Sequence, residues 1–500
     1  MGVKSVLAKP FANVIARSIK RWSSEAERAQ EFWFHKLIAE GKKTAFGKDH
    51  GFESIASYED YVERVPLLEY ESFIPYIERI KSGEENVLWK GKPIYFAKSS
   101  GTTAGVKYIP ITKDSIPNHI DSARNALLMY IAETGKTDFV NGKMIFLSGS
   151  PELDKVNGIL TGRLSGIVNH HVPGYLRGNQ LPSYQTNCIE DWEMKVEKIV
   201  AETMNANMTL ISGIPPWVQM YFEKLIEKTG KQNIQEIFPN FSLLVYGGVN
   251  FEPYRAKLFN TIGGEVDSIE TYPASEGFIA FRDTQKEEGL LLNVDGGMFF
   301  EFVPAAEIFS DHPKRIRLHD VELGVNYAIV LSSNAGLWSY VIGDTVKFVS
   351  KKPYRILVTG RTKHFISAFG EHVIQEEVEQ SLMKAAQEEK AEVIEFTVAP
   401  QVNPPEGGLP YHEWFVEFAT APSDMNELRK KADDNLRGKN IYYDDLITGN
   451  ILQPLKITRL HKDAFRSYMK SIGKLGGQNK VPRLSNNRSI ADALKPWIET

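Results

Sequence analysis

The chain has 500 residues, which predicts two or three structural units, because domains mostly contain about 100–200 residues. Its formal net charge of −4 offers no basic face for nucleic acid, so we expect no nucleic-acid partner. One cysteine, Cys188, excludes an internal disulfide framework and a cysteine-built metal site, and it favours a reducing, cytoplasmic compartment.

The chain starts with the segment MGVKSVLAKPFANVIARSIKRW, which is basic and amphipathic and predicts a surface helix. The segment lacks the long apolar run and cleavage site of a targeting peptide, and Val6 stands where a myristoylation signal has Ser or Thr. No stretch approaches the ~20 apolar residues that cross a bilayer. We therefore expect no membrane partner.

Residues 95–112, YFAKSSGTTAGVKYIPIT, place a loop rich in hydroxyl groups after an apolar run typical of a strand. Glycines let the backbone approach a ligand closely, and successive N–H groups can form a nest for phosphate. The loop is not the P-loop of common NTPases, because no Gly-Lys-Ser/Thr triplet follows its second glycine. By itself it fits a surface turn as well as a phosphate site.

The middle of the chain alternates short apolar runs with longer amphipathic stretches. The runs KMIFLSG, MTLISGIP, FSLLVYGG and VDSIETYP predict buried strands, and the segments 190–204, 216–228 and 253–261 predict helices. Strand followed by helix, repeated, indicates an α/β domain with a mainly parallel sheet.

From about Gly289 the pattern changes to strands with little helix between them, which predicts an antiparallel or barrel-like annex. A different mixture follows residues 360–363: a helix over 374–388, the strands VIEFTVAP and YHEWFVEFA, and a helix over 424–436. This mixture indicates a small α+β domain. We place the boundary between residues 1–362 and 363–500.

Five further motifs follow the loop in order: VYGGVNFEP (245–253), ETYPASEGF (270–278), YVIGDTV (340–346), VTGRTKHF (358–365) and GQNKVPR (477–483). Each is weak alone. The loop SSGTTAGVK and the segment ahead of it, YESFIPYIERIKSGEENVL, add to these five motifs. With all of them, the chain resembles over nearly its whole length the auxin-responsive-promoter family of acyl acid amido synthetases. That family is a branch of the adenylate-forming superfamily, which also contains acyl-CoA synthetases and luciferases. The resemblance implies a large N-terminal α/β domain with mainly parallel sheets and a barrel-like annex, and a small, mobile α+β C-terminal lid.

The resemblance also implies which residues bind ATP. The β- and γ-phosphates would be held by Ser99, Ser100, Gly101, Thr102, Thr103, Gly105 and Lys107. The nucleotide would be held by Gly247, Gly248, Val249, Tyr272, Ser275, Asp344 and Arg361. Within this set Asp344 matches the residue that bonds the ribose hydroxyls, and two acceptor oxygens suit a vicinal diol.

Two residues match catalytic positions of the superfamily. Glu276 matches the position that binds Mg²⁺, and one carboxylate together with substrate phosphates is a usual way to hold this ion. Lys480 matches a lysine of the mobile domain that reaches the carboxylate and the α-phosphate. Lys363 matches the hinge position, where the family often has aspartate, so this chain departs from the family's pattern there. At each position a solvated charge is the alternative.

Other residues invite assignments that we do not favour. His170 and His171 lack the spaced partners of a metal site, which favours a loop pair. Cys188 lacks a base pattern for a thioester nucleophile. Arg124 fits a surface salt bridge better than a substrate contact, and Tyr340 is expected to point into the core.

We therefore expect an ATP- and Mg²⁺-dependent ligase that adenylates a small acyl acid and conjugates it to an amino acid, acting as a monomer. An acyl-CoA ligase using the same first half-reaction, and a catalytically silent nucleotide- or acyl-binding homologue, remain the alternatives. Acyl pockets are built from apolar side chains of several elements, so the sequence does not identify the acid.

Overall fold

The computed structural model describes residues 3–499 except 101–105, 173, 190, 249–250, 363–364, 367, 370, 372, 403, 449–451, 477–479 and 486. The chain divides into two compact units. Unit 1 comprises Met1–Pro304, Asp311–Ile342 and Val346–Leu357. Unit 2 comprises Ala305–Ser310, Gly343–Thr345 and Val358–Thr500.

The helices of the described residues follow in chain order. They are α1 Val3–Ser24, α2 Ala26–Gly41, α3 Ala45–Asp49, α4 Tyr58–Arg64, α5 Tyr70–Lys81, α6 Ile116–Thr134, α7 Leu164–His170, α8 Gly174–Arg177, α9 Tyr184–Asn187, α10 Trp192–Thr203, α11 Pro215–Thr229, α12 Ile234–Ile237, α13 Glu252–Ile262, α14 Gln375–Glu388, α15 Met425–Arg437, α16 Ile441–Thr448, α17 Ala464–Ser471 and α18 Ser489–Ala493.

The strands are numbered in the same way. They are β1 Tyr95–Ser100, β2 Val106–Ile111, β3 Lys143–Phe146, β4 Asp154–Val156, β5 Ile159–Gly162, β6 Gln180–Leu181, β7 Met208–Gly213, β8 Leu243–Gly247, β9 Asp267–Ala274, β10 Gly277–Phe281, β11 Leu290–Leu292, β12 Met298–Pro304, β13 Ile316–Arg317, β14 Asn326–Ser333, β15 Tyr340–Lys351, β16 Tyr354–Arg361, β17 Phe365–Ile366, β18 Val373–Ile374, β19 Glu392–Gln401, β20 Tyr411–Thr420 and β21 Lys456–Leu460.

The largest sheet has the strand order β13-β12-β14-β15-β16-β11-β10-β9-β8-β7-β3-β6. Its β6, β3, β7, β8 and β9 are parallel to one another, and helices follow β7 and β8. The predicted α/β region is therefore confirmed. The strands after Gly289 pair antiparallel and continue the same sheet, because β10 pairs with β11 and β11 with β16.

Two smaller sheets position the functional regions. In unit 1, the order β2-β1-β5-β4 forms a separate sheet that carries the hydroxyl-rich loop. In unit 2, β19 pairs antiparallel with β20, and β20 pairs parallel with β21. Helices α14 and α15 pack on this sheet through Val378, Leu382 and Leu428.

The predicted first helix is present as α1. Its Ala12, Ala16 and Ile19 are buried in a cluster with Leu128 and Met129 of α6. No helix among the residues that the structure describes is long and apolar enough to cross a membrane.

Candidate active site

The two strands that flank the hydroxyl-rich loop form a β-hairpin. Strands β1 and β2 pair antiparallel, with Ser99 opposite Lys107 and Ser100 opposite Val106. For Ser99 and Ser100 the structure describes the backbone alone, and Gly101, Thr102, Thr103 and Gly105 lie outside the described residues. The structure thus provides the stem of the loop and leaves its phosphate-binding role a prediction.

The stem of this hairpin rests on the start of α5. The Tyr108 N–H donates to the hydroxyl of Tyr70 at 2.8 Å. The Nζ atom of Lys107 lies 5.5 Å from the centroid of the Tyr70 ring, a distance at which a cation is attracted to an aromatic face. Tyr70 therefore fixes the strand that leads away from the loop.

Glu276 stands in a tight turn on the large sheet. Ala274 of β9 pairs with Gly277 of β10, so Ser275 and Glu276 form the two residues of the turn. A Cβ atom on Gly277 would lie 2.4 Å from the sulfur of Met298, which explains the glycine there. Ser275 and Glu276 are both half-buried.

Helix α6, which follows the loop hairpin, holds the strand after Glu276. The Oδ1 atom of Asn118 accepts the Phe278 N–H at 2.6 Å, and its amide donates to the Phe278 carbonyl at 3.5 Å. Asn293 donates to the same carbonyl at 3.0 Å and to Ser122 of α6 at 2.9 Å. Asn118 is a positioning residue that sequence analysis missed, since its partner is 160 residues away.

Tyr340 provides a second support for Glu276. Its ring is buried, as expected from the sequence, but its hydroxyl donates a hydrogen bond to the Glu276 carboxylate. Burial, and then the negative charge of Glu276, hold the pKa of Tyr340 well above its usual value, so the phenol remains a donor. This polar role was not predicted.

The backbone of Tyr340 is itself clamped. The Leu68 N–H donates to the Ser339 carbonyl at 2.9 Å, and the Val341 N–H donates to the Leu68 carbonyl at 2.8 Å. The Phe73 ring contacts the Tyr340 ring edge-on with centroids 5.6 Å apart. Tyr340 therefore presents its hydroxyl from a rigid position.

The predicted nucleotide edge lies at the end of β8. Gly247 pairs with Thr271, and a Cβ atom on Gly247 would lie 2.2 Å from the Thr271 carbonyl oxygen. Gly248 has a φ of +81°, which favours glycine. Tyr272 is buried beside them on β9. Because β8 and β9 are parallel, these residues lie together at the carboxyl ends of the two strands, where ligands of α/β proteins bind. Val249 lies outside the described residues.

In unit 2 the structure joins Asp344 with Arg361. The Nε atom of Arg361 lies 2.9 Å from Oδ1 of Asp344, and the Asp344 side chain is 17% exposed. Thr362 donates its N–H to the Gly343 carbonyl at 2.7 Å, which holds the two segments together. Lys363, the predicted hinge residue, lies outside the described residues.

Lys480 comes directly after residues 477–479, which lie outside the described residues, and it is exposed. Burial of its ammonium group, opposed by the negative charge of Asp344 and assisted by the positive charges of Arg361 and Arg483, lowers the pKa of Lys480 to about 8. The residue as a whole is exposed, while neighbouring protein atoms desolvate its ammonium group. Lys480, Asp344 and Arg361 thus form one electrostatic group within unit 2.

Arg483 anchors the segment that carries Lys480. Its guanidinium lies 2.5 Å from Glu379 and 3.1 Å from Glu395, and it is buried. The Val398 N–H donates to the Arg483 carbonyl at 2.9 Å, adding a backbone link to β19. The positive charge of Arg483 also acts on Lys480, so the two residues are neighbours.

The donor set is suited to a metal that arrives with phosphates. The described residues contain no group of three or more His, Cys, Asp or Glu side chains that could hold an ion by themselves. Glu276 offers one carboxylate, held by Tyr340, and Mg²⁺ commonly takes one carboxylate plus phosphate oxygens.

The residues that we did not favour have protein partners. Arg124 pairs with Asp121 at 2.9 Å, the surface salt bridge that was expected. His170 ends α7, so its placement in a loop is wrong, and it bonds the Pro151 carbonyl at 2.7 Å. Burial raises the pKa of the Cys188 thiol, which disfavours a thiolate nucleophile.

Comparison with known proteins follows the same division of the chain. Residues 15–173 match the GH3 family N-terminal domain, residues 291–361 the GH3 family central domain, and residues 376–489 the GH3 family C-terminal domain.

The chain is similar in sequence to plant enzymes. It is 24% identical over 449 residues to jasmonoyl–L-amino acid synthetase JAR4 of Nicotiana attenuata, covering 75% of this chain and 76% of that protein. It is 21% identical over 568 residues to indole-3-acetic acid-amido synthetase GH3.3 of Arabidopsis thaliana, covering 96% and 92%.

Solved structures show the same fold at low identity. A GH3.15 acyl acid amido synthetase in complex with 2,4-DB superposes with a TM-score of 0.81 at 13% identity, covering 98% of this chain and 96% of that one. A 2-hydroxyisobutyryl-CoA ligase superposes with a TM-score of 0.56 at 11% identity, covering 96% and 91%. The expected adenylate-forming fold is confirmed.

Proposed function

Because this chain belongs to the GH3 family, we propose that it is an ATP-dependent ligase that activates a carboxylic acid as an acyl-adenylate and joins the acyl group to an amino acid. Its relatives JAR4 and GH3.3 are named as synthetases that conjugate jasmonic acid and indole-3-acetic acid to amino compounds. Membership supports the reaction type and leaves the acid and the amino acid of this chain open.

One observation supports the assignment of the residues of unit 1: the loop hairpin, the Glu276 turn and Tyr340 are linked to one another there. Tyr70 holds the stem of the loop hairpin, and its hydroxyl is among the groups that act electrostatically on Tyr340. Tyr340 donates to Glu276, and Asn118 of α6 holds the strand that follows. A surface turn and a solvated glutamate would not need these buried links.

In the first half-reaction, a carboxylate oxygen of the acid attacks the α-phosphorus of ATP. The bond from the α-phosphorus to the bridging oxygen of the β-phosphate breaks, and pyrophosphate leaves. We propose that the loop hairpin, with Lys107, binds the leaving phosphates, since backbone N–H groups and a cation offset their charge.

We propose that Glu276 would hold Mg²⁺, which would supply positive charge to offset the negative charge that repels the incoming carboxylate. The task of the chain itself is to fix the Glu276 carboxylate, and Tyr340 does so through its hydroxyl. Asp344, paired with Arg361, is proposed to bond the ribose hydroxyls, and Gly247 and Gly248 to border the adenine.

Lys480 is proposed to bridge the attacking carboxylate and the α-phosphate, so that its positive charge stabilises the crowded transition state. In the second half-reaction the amino-acid nitrogen attacks the acyl carbon. The bond from that carbon to the AMP oxygen breaks, AMP leaves, and the amine loses a proton. We further propose that the small domain 363–500 moves about Lys363 between the two steps, as such linkers do.

The function is tested by screening carboxylic acids for ATP–pyrophosphate exchange. Acids that support exchange are then incubated with ATP and either amino acids or coenzyme A, and the products are identified by mass spectrometry. An amide product supports the proposal, and a thioester product without amide assigns the chain to the acyl-CoA ligases. Binding of ATP without exchange for any acid would identify the silent homologue.

A further inference from the structure

Helix α1 has an apolar side that no described part of the protein covers. Its inner side packs on α6 through Ala12, Ala16 and Ile19. Its outer side carries Val6, Leu7, Phe11 and Val14, which are 58%, 64%, 45% and 59% exposed. Large apolar side chains on a monomer's surface are usually scattered singly, so four within three turns of one helix indicate an interaction surface.

The charges of α1 have one sign. Its ionisable side chains are Lys4, Lys9, Arg17, Lys20 and Arg21, and Val3–Ser24 contains no Asp or Glu. All five are exposed. At 3.6 residues per turn, Arg17 and Arg21 continue the line of Val6 and Val14, so cationic and apolar groups share the outer side.

We propose that this outer side of α1 binds the surface of an anionic lipid bilayer, with the helix lying in the plane of the interface. Val6, Leu7, Phe11 and Val14 enter the boundary between headgroups and acyl chains, and the lysines and arginines contact the lipid phosphates. Interfacial helices that are rich in Lys and Arg and also expose Leu or Phe bind membranes in this way, through apolar burial and attraction to anionic lipid.

Charge complementarity selects this occupant. A second copy of α1 would bring two sets of five positive charges together, and like charges repel at close range. The match to the GH3 N-terminal domain begins at residue 15, so Val6–Val14 precede the region matched by the family. The expectation of no membrane partner rested on the lack of a targeting peptide, a myristoylation signal and a spanning segment, none of which an interfacial helix needs.

The test is co-sedimentation of the full-length chain with vesicles of phosphatidylcholine alone and of phosphatidylcholine mixed with phosphatidylserine. The native chain is expected to sediment with the mixed vesicles only, and less as salt increases. The double variant Leu7→Glu, Phe11→Glu is expected to lower the vesicle partition coefficient at least about tenfold. The double variant Arg17→Gln, Arg21→Gln is expected to lower it about fivefold for each charge removed. Leu323→Glu, which changes an equally exposed apolar residue at 56% exposure, should bind like the native chain.

Thermal unfolding and ATP–pyrophosphate exchange should be the same for all of these variants, which separates the proposal from the proposed catalytic function. Failure of the native chain to bind mixed vesicles, or equal binding by the Leu7→Glu and Phe11→Glu variant, would overturn it. So would a native dimer in analytical ultracentrifugation that this variant converts to monomer, since a second copy would then cover the helix.

Discussion

Replacing Tyr340 with Phe tests how Glu276 is held, because the change removes one hydroxyl and keeps the buried ring. Hydrogen bonds to charged groups contribute about 1.5–3 kcal/mol. Because Glu276 is half-buried, water can replace part of the lost hydrogen bond, so we expect a loss at the lower end of this range. About 1.5 kcal/mol corresponds to about tenfold in an equilibrium constant.

The expected result is a loss of about tenfold in the amount by which Mg²⁺ strengthens ATP binding, with ATP binding in excess chelator unchanged. Isothermal titration calorimetry with ATP at several Mg²⁺ concentrations measures this coupling without requiring turnover. Tyr221→Phe is the matched control, because it removes a fully buried hydroxyl that bonds Thr203 and not Glu276.

Three outcomes would refute the reasoning. In the first, Tyr340→Phe keeps the full coupling between Mg²⁺ and ATP; in the second, it weakens ATP binding equally with and without Mg²⁺. In the third, Tyr221→Phe would reduce the coupling to the same extent, showing that any lost buried hydroxyl has this effect. Thermal unfolding of both variants establishes that they are folded.

Lys480→Ala is expected to lower the rate of ATP–pyrophosphate exchange about 10²–10³-fold, while synthetic acyl-adenylate is still converted to amide. An equal loss of rate in both half-reactions would contradict the assigned role. Arg483→Met removes the buried cation that pairs with Glu379 and Glu395. It should lower the free energy of unfolding, measured by urea denaturation, by about 3–5 kcal/mol. An unchanged urea midpoint would show that the ion pairs contribute nothing to stability. Burial raises the pKa of Glu270 from 4.5 to about 7, so between these values the folded chain binds more protons than the unfolded chain and its stability falls as pH rises. The melting temperature of Glu270→Gln should not show that decline across this pH range. The same dependence of melting temperature on pH in the variant and the native chain would contradict the prediction.

The sequence by itself determined the local elements and the set of motifs. Apolar periodicity predicted α11 as 216–228, where the structure has Pro215–Thr229, and α14 as 374–388, where it has Gln375–Glu388. Such patterns are readable because burial of one side of a helix or strand fixes the spacing of apolar residues along the chain. The order of the motifs was enough to indicate the family.

The tertiary structure alone decided which distant residues meet. Tyr340 was expected simply to be buried, and its bond to Glu276 depends on where β15 and the β9–β10 turn come together. Asn118 and Phe278 are joined across 160 residues, and no local pattern encodes that contact. The strands after Gly289 were predicted to form an antiparallel or barrel-like annex, and the structure shows how they join the large sheet, through antiparallel pairing of β10 with β11 and of β11 with β16. Sequence spacing determines which side of an element is buried, whereas the choice of partner depends on strand order and on loops that fold only when the whole core forms.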